Sequence, residues 1–268
     1  MTTSASPSAP SFDPQQACEQ LRSLSALERM RWGLETFGDG FALTTSFGIQ
    51  AAVSLHLISQ LDRQVPVIWV DTGYLPPETY QYSQALVERL GLQLHVAQSG
   101  MSPARMEALH GRLWETGQVE DLETYHRIRK VEPLDRALND LKVSCWASGV
   151  RGGQTDHRKA MAPVQLVRGR WALRPLLDWN NRDVFYYMQE NDLPQHPLFD
   201  KGYSTVGDWH SSAPDDGSYG LKKFMGREYM GMMRHTFVVD AEGKIEKAYL
   251  KVKAASMADD ILQDLGLS

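Results

Sequence analysis

The chain of 268 residues carries 33 acidic against 28 basic side chains, for a net charge of −5 and an isoelectric point near 5.9. That balance supplies no basic field for binding duplex or single-stranded nucleic acid, although a small anion site fits readily inside an acidic protein. Two cysteines, Cys18 and Cys145, are too few for a disulfide framework or a cysteine-ligated zinc ribbon, no apolar run approaches the roughly 18 residues that span a bilayer, and the N-terminus has no signal-peptide pattern.

The composition predicts a cytoplasmic protein with one large α/β domain, or a domain of about 200 residues with a small appendage. Residues 1–14, rich in Ser, Pro, Ala and Thr, bury too little apolar surface to offset their ordering entropy and read as a flexible arm. From 15 to 37, Leu21, Leu24, Leu27, Met30 and Leu34 recur at threes and fours, which predicts one amphipathic helix. Residues 41–57 then read strand, glycine turn, helix: FALTT, SFGIQ, AAVSLHL. This order sets unpartnered N–H groups and the positive end of a helix dipole at the end of a buried strand. Phosphate or sulfate suits such a turn. Many strand–helix turns carry Ser and Gly for steric reasons alone, and neither a Walker A nor a GxGxxG pattern is present, so the turn by itself assigns nothing.

The apolar run at 65–70 predicts a parallel strand buried on both faces. It ends in Asp71, Thr72 and Gly73, polar groups at the position where open α/β sheets bind ligands; the plain alternative is a strand-ending turn. Pro77 opens a helix to about Leu90, and residues 92–96 read as a third strand, which completes a βαβαβ order. The pattern at 101–117 is mixed. Arg127, Arg129 and Lys130 gather ahead of Pro133 and a helix through Leu134, Leu138 and Leu141. Such a cluster is ordinarily a solvated face, but beside a proline-started helix in an acidic chain an anion site is an equal contender.

A further strand at 143–148 ends in GVRGGQ, where glycine permits close backbone approach and Arg151 can clamp an oxyanion through two N–H groups. Cys145, inside that strand, reads as a small buried hydrophobe. Residues 164–167 and 171–173 predict a hairpin, and 181–191 a short aromatic helix capped by Asn180 and Asn181. The segment 196–210 has little period and predicts an ordered loop over the site. Within it His210 could be a ligand or proton carrier, though a lone histidine is more often structural.

Six strings, TTSFGIQAAVSLHL, VDTGYLPPETY, YHRIRKVEPLDRAL, ASGVRGGQ, PLLDWNNRDVFYYM and HPLFDKGYSTVGDWH, in that order and spacing, closely resemble assimilatory phosphoadenylyl-sulfate (PAPS) reductases over about residues 12–212. The resemblance implies an adenine-nucleotide α-hydrolase-like fold, a mainly parallel sheet with helices on both faces. It implies that Ser46, Phe47, Gly48 and Gln50 hold the nucleotide's phosphates, and that Asp71, Thr72 and Gly73 lie along the ribose and adenine. Lys130 and Arg151 resemble the cations that face the phosphosulfate, Gly149 the close-approach glycine, and His210 part of the loop nearest the sulfuryl group. In such enzymes a cysteine thiolate attacks sulfur, and thioredoxin, an external reductant, then releases sulfite; cations stabilise the leaving phosphate. Related adenylyl-sulfate reductases with an iron–sulfur cluster carry paired cysteines near both motifs. Here Tyr125-His126 and the cysteine-free stretch 207–212 stand instead, so no iron–sulfur cluster, metal or other cofactor is expected.

The resemblance breaks toward the C-terminus. The family closes with a Glu-Cys-Gly-Leu-His tail whose cysteine is the nucleophile, and here no cysteine follows Cys145. Residues from about 217 to 268 instead resemble the last part of a bacterioferritin-comigratory-type, thioredoxin-fold peroxiredoxin, with a hairpin at 235–240 and 244–250 and a helix at 257–265. Arg234 matches an arginine that supports a peroxidatic cysteine in that family, but the loop bearing that cysteine has no counterpart here. The expected plan is an arm at 1–14, a nucleotide-binding domain at 15–212, a junction at 213–218 and a partial peroxiredoxin-like tail at 219–268. Unpaired strand edges in the tail leave self-association into a homo-oligomer open. The sequence thus predicts binding of PAPS or adenosine 3′,5′-bisphosphate, no catalytic cysteine in place, and thioredoxin-dependent turnover that is absent or very weak. One rival is a non-catalytic nucleotide-binding module with an interaction tail. Another is an ATP pyrophosphatase relative, a family that usually carries Ser-Gly-Gly-x-Asp-Ser where SFGIQ stands here.

Overall fold

The computed structural model describes residues 12–154, 158, 160–214, 219–224, 227–232, 236–239, 245–249 and 262–263. Two helices, α1 (Pro14–Ser23) and α2 (Ala26–Phe37), stand where the hydrophobic period predicted one. Leu24 is extended, and Ser25 then closes a reciprocal capping box with Glu28: Ser25 Oγ accepts from the Glu28 N–H at 3.3 Å, and the Glu28 carboxylate accepts from the Ser25 N–H at 2.8 Å. The apolar period survives the break because both helices turn their apolar faces to one core, in which Leu21 and Met30 are fully buried. Phe12, ahead of α1, packs its ring against Trp32, Phe37 and Trp171.

Six strands form one sheet: β1 (Phe41–Thr45), β2 (Val67–Asp71), β3 (Leu94–Gln98), β4 (Cys145–Ser148), β5 (Val164–Val167) and β6 (Arg170–Leu173). Their order is β3-β2-β1-β4-β6-β5, all parallel except the edge strand β5. The β5–β6 hairpin turns on Arg168 (φ 51°) and Gly169 (φ 76°), two left-handed residues whose twist matches that of the strands. Alternation along β1 sends Phe41 and Leu43 into one core and Ala42 into the other. The first core is covered by α1, α2, α3 (Ala52–Ser59), α4 (Pro77–Leu90) and α8 (Asn181–Glu190). On the opposite face α7 (Glu132–Asp140) packs Ala137 and Leu138 against Ala42, Ile68 and Ala97. The expected α/β sheet with helices on both faces is therefore present.

Two further helices occupy the stretch between β3 and β4. α5 (Pro103–His110) lies in the region of mixed pattern. α6 (Val119–His126) runs through a π-helical turn, Arg127–Val131, directly into α7. Proline at 133 cannot donate a backbone hydrogen bond, and just before it the ladder widens, with the Glu132 N–H reaching the Arg127 carbonyl. The cation cluster is thus the interior of one continuous helical run, not a segment preceding a helix. β2 and β3 lie one to two residues further along than predicted. Among the described residues no helix is long and apolar enough to cross a membrane.

A second compact unit comprises Lys201–Ser204 and the described residues beyond Ala213. It contains two antiparallel pairs, β7 (Tyr219–Phe224) with β8 (Arg227–Met232), and β9 (Thr236–Val239) with β10 (Ile245–Tyr249). The second pair coincides with the hairpin expected around residues 241–243; the first was not anticipated, since YGLKKF and REYMGM lack clean alternation. Of the helix expected at 257–265 only residues 262–263 are described, and they are helical; Arg234 lies outside the described residues.

Candidate nucleotide-binding site

Strand order reverses between β1 and β4, and in open parallel sheets ligands occupy the crevice beyond the carboxyl ends of the strands at that switch point. Thr44 pairs with Ile68 on one side and Ser148 on the other, so β1 and β4 end within one residue of each other while β2 runs two residues further, to Asp71. Thr44 Oγ1 also donates to the Ala147 carbonyl at 3.1 Å across the switch point.

The turn after β1 is set by Phe47. Its φ of 48° is left-handed, which costs a non-glycine residue about 1–2 kcal/mol. Full burial of its ring, edge-on to Trp69 at 5.0 Å, offsets that strain. Phe47 therefore offers no side chain to a ligand, and its N–H already donates to Thr45 Oγ1 at 3.2 Å. Ser46 is exposed, and the Gly48 carbonyl accepts from the Ala51 N–H at 3.0 Å. Helix α3 starts at once, with Ala51 as a cap that offers no side-chain acceptor, so its first N–H groups remain for something else.

Facing this turn, Arg151 follows β4 and is 5 % exposed. Its guanidinium donates to Asn181 Oδ1 at 2.8 Å and to Gln50 Oε1, and Gln50 Nε2 lies 3.4 Å from the same Asn181 oxygen. One arginine thus ties the β1 turn to the first residue of α8. Gly149 is exposed, and an added Cβ would meet only Ser54 Oγ, at 3.6 Å, so packing does not demand glycine there.

The end of β2 is a different kind of structure. The buried Asp71 carboxylate accepts from the Gly73 N–H (2.8 Å), Tyr80 Oη (2.6 Å) and Gln98 Nε2 (2.7 Å), and so closes its own turn. Gly73 has φ 74°, and a Cβ there would fall 2.6 Å from Pro103 Cγ and 2.8 Å from Arg129 Nη2. Arg129, 2 % exposed, donates to the carbonyls of Thr72 and Met101 and lies over the Tyr74 ring. Thr72 Oγ1 donates to Asp208, a carboxylate 1 % exposed on the loop that follows. The second oxygen of Asp208 accepts from Tyr125 Oη at 2.9 Å and pairs with Lys130 Nζ at 2.7 Å. Burial alone would push the Asp208 carboxyl up; hydrogen bonds from Lys130 and Thr72, the charge of Lys130 and the Tyr125 hydroxyl more than offset this and hold it below the usual range.

The same loop reaches both strand ends. A Cβ on Gly48 would come within 3.6 Å of the Val206 carbonyl, and the Trp209 N–H donates to the Tyr74 carbonyl at 2.7 Å. His210 stacks flat on Trp114 at 4.2 Å and 8°, meets Tyr74 and Tyr125 edge-on, and its Nε2 lies 3.0 Å from Tyr125 Oη. Burial, with Lys130 nearby, lowers its pKa against the opposing pull of Asp208.

The predicted residues therefore fall into two groups on one sheet edge. Ser46, Phe47, Gly48, Gln50, Gly149 and Arg151 line the switch point; Asp71 and Gly73 close the turn after β2, from which Thr72 reaches Asp208, as do Lys130 directly and His210 through Tyr125. From the sequence, Asp208 and Trp114 are assigned no role, and Tyr125, Arg129 and Asn181 only other ones; all of these except Trp114 stand inside the quoted strings. The signal available was the acid in GDWH set against three cations in one helical run. Cys145 is buried in β4 opposite Phe41 and Trp171, and burial pushes its thiol well up. Cys18 Sγ donates to the Val164 carbonyl on β5 at 3.2 Å, with β6 and β4 between β5 and β1.

This geometry is that of an α/β nucleotide-binding domain. A family model for the phosphoadenosine phosphosulfate reductase domain matches residues 40–214, and the chain belongs to that family. The phosphoadenosine 5′-phosphosulfate reductase of a Synechococcus strain is 54 % identical over 210 residues, covering 77 % of this chain and 90 % of the relative. The enzyme of the same name from Zymomonas mobilis is 46 % identical over 74 % of this chain and 80 % of its own length. Among solved structures, the phosphate complex of PAPS reductase from Candida auris superposes with a TM-score of 0.66 at 29 % identity, covering 76 % of this chain and 98 % of that one. FMN adenylyltransferase from Candida glabrata shares the fold alone, with a TM-score of 0.50 at 16 % identity over 80 % of this chain and 73 % of that one.

Proposed function

We propose that the chain binds PAPS, or adenosine 3′,5′-bisphosphate, across the β1/β4 switch point. The observation that carries this is the Arg151–Gln50–Asn181 cluster beside the uncapped start of α3, in a chain of the PAPS reductase family. The turn at Ser46–Gln50 supplies main-chain N–H groups and the Ser46 hydroxyl to phosphate oxygens, and Arg151 supplies charge. Asp71, Thr72 and Gly73 shape the ribose and adenine side. Lys130 and His210, on the far side of Asp208, serve the phosphosulfate end.

Reduction to sulfite and adenosine 3′,5′-bisphosphate, as in sulfate assimilation, needs a thiolate at sulfur. Cys145 is locked in the sheet and Cys18 lies on its far edge, so binding without self-sulfonation is the expected behaviour, with thioredoxin-dependent turnover at background. The peroxiredoxin-like tail is then an interaction element. Native mass spectrometry after incubation with PAPS tests this reading. Bound nucleotide with no S-sulfonate on Cys18 or Cys145 supports it. Absence of bound nucleotide would refute the binding, and a sulfonated cysteine or robust sulfite release would refute the lack of turnover.

A further inference from the structure

The Asp208 carboxylate, the Tyr125 hydroxyl and the His210 imidazole form a chain in which each proton has one consistent place. Asp208 Oδ2 already takes a proton donor in Lys130 Nζ at 2.7 Å, and Oδ1 takes another in Thr72 Oγ1. An ionised carboxylate only accepts, so the contact of 2.9 Å to Tyr125 requires the phenol to point its single proton at Asp208. Reversing it would set lone pair against lone pair inside a site where Asp208 is 1 % exposed. The phenolic oxygen then has only lone pairs for His210, and Nε2, 3.0 Å away, must carry hydrogen. Stacking on Trp114 and edge contacts with Tyr74 and Tyr125 fix the ring's plane. Among the described residues no hydrogen bond reaches Nδ1.

We infer that Asp208 is a positioning residue which, through Tyr125, holds His210 with its proton on Nε2 and presents Nδ1 as a proton acceptor. The inference rests on the proposed nucleotide site only for the identity of the group that Nδ1 serves, an oxyanion of the bound phosphosulfate or bisphosphate. An anion arriving there favours protonation of Nδ1, and the Asp208–Tyr125 relay stabilises the resulting imidazolium from behind. The charged and titratable groups around His210 are Asp208 and Lys130, with Glu115 and His126 further out and the Tyr74 and Tyr125 hydroxyls in contact or nearby.

Nitrogen NMR of the histidine-labelled protein, with His210 assigned by comparison with His210→Gln, tests this. The wild type should show Nε2 protonated and Nδ1 as the bare ring nitrogen at neutral pH. Tyr125→Phe, which leaves the Lys130–Asp208 pair in place, should mix or reverse the tautomers and move the imidazole pKa down; Asp208→Asn should also move it down. An Nδ1-protonated ring in the wild type, or an unchanged tautomer and pKa in folded Tyr125→Phe, would overturn the relay. Adding adenosine 3′,5′-bisphosphate should move the Nδ1 signal toward its protonated position. Saturating binding without that movement would overturn the role at Nδ1, whereas no binding at all would fail the function proposal and leave the relay to be judged on the unliganded spectra.

Discussion

The ammonium of Lys130 lies 2.7 Å from Oδ2 of Asp208, joining the π-helical turn before α7 to the loop that crosses the ends of β1 and β2. One partner is 40 % exposed and the other 1 %, so the pair is neither a solvated surface bridge nor a fully buried one. Its energetic weight lies with the buried carboxylate, which would be left with neutral donors only.

Lys130→Met should therefore cost about 2 kcal/mol, in the range for a lost hydrogen bond to a charged group. The Asp208 carboxyl should rise, because the hydrogen bond and charge that hold it down are gone. In the wild type this depressed carboxyl contributes stability above the ordinary carboxylate range that is lost as pH falls through its folded pKa. Urea unfolding of Lys130→Met, Asp208→Asn and the double variant checks this, and the double variant should cost less than the sum of the two singles.

Gly73→Ala should destabilise by more than 1–2 kcal/mol, the approximate cost of left-handed backbone alone, since the new Cβ also meets Pro103 and Arg129. The Gly149→Ala control meets only ordinary contact at Ser54 and should stay within about 0.5 kcal/mol. Paired denaturation curves separate the two.

His196 is fully buried, with Nδ1 accepting from the Leu198 N–H at 3.1 Å and Nε2 3.1 Å from Thr79 Oγ1. Burial lowers its pKa from 6.5 to about 4. The unfolded chain takes up a proton between those values that the folded chain refuses, so stability should fall as pH drops from 6.5 toward 4. The slope approaches about 1.4 kcal/mol per pH unit. His196→Gln, which cannot titrate, should flatten the stability profile in that window.

The centre of the sheet was legible because its strands are largely buried: VPVIWV reads as an apolar run wherever it is placed. The break at Ser25 was hidden because a capping box can interrupt a helix without disturbing the apolar period. The switch-point residues Ser46, Gly48, Gln50 and Arg151 could be found because they directly follow strands. Asp208 could not be ranked that way, since its importance comes from partners up to 136 residues distant in sequence. In the sequence Lys130 is a cation open to a ligand, and only the fold reveals the carboxylate already beside it.

Calorimetric titration with adenosine 3′,5′-bisphosphate, comparing the wild type with Ser46→Ala/Arg151→Ala, tests whether the β1/β4 switch point is the nucleotide site. We expect one site per chain, weakened at least about tenfold, roughly 1.4 kcal/mol, in the double variant. No binding by the wild type, or equal affinity in the folded double variant, would contradict it.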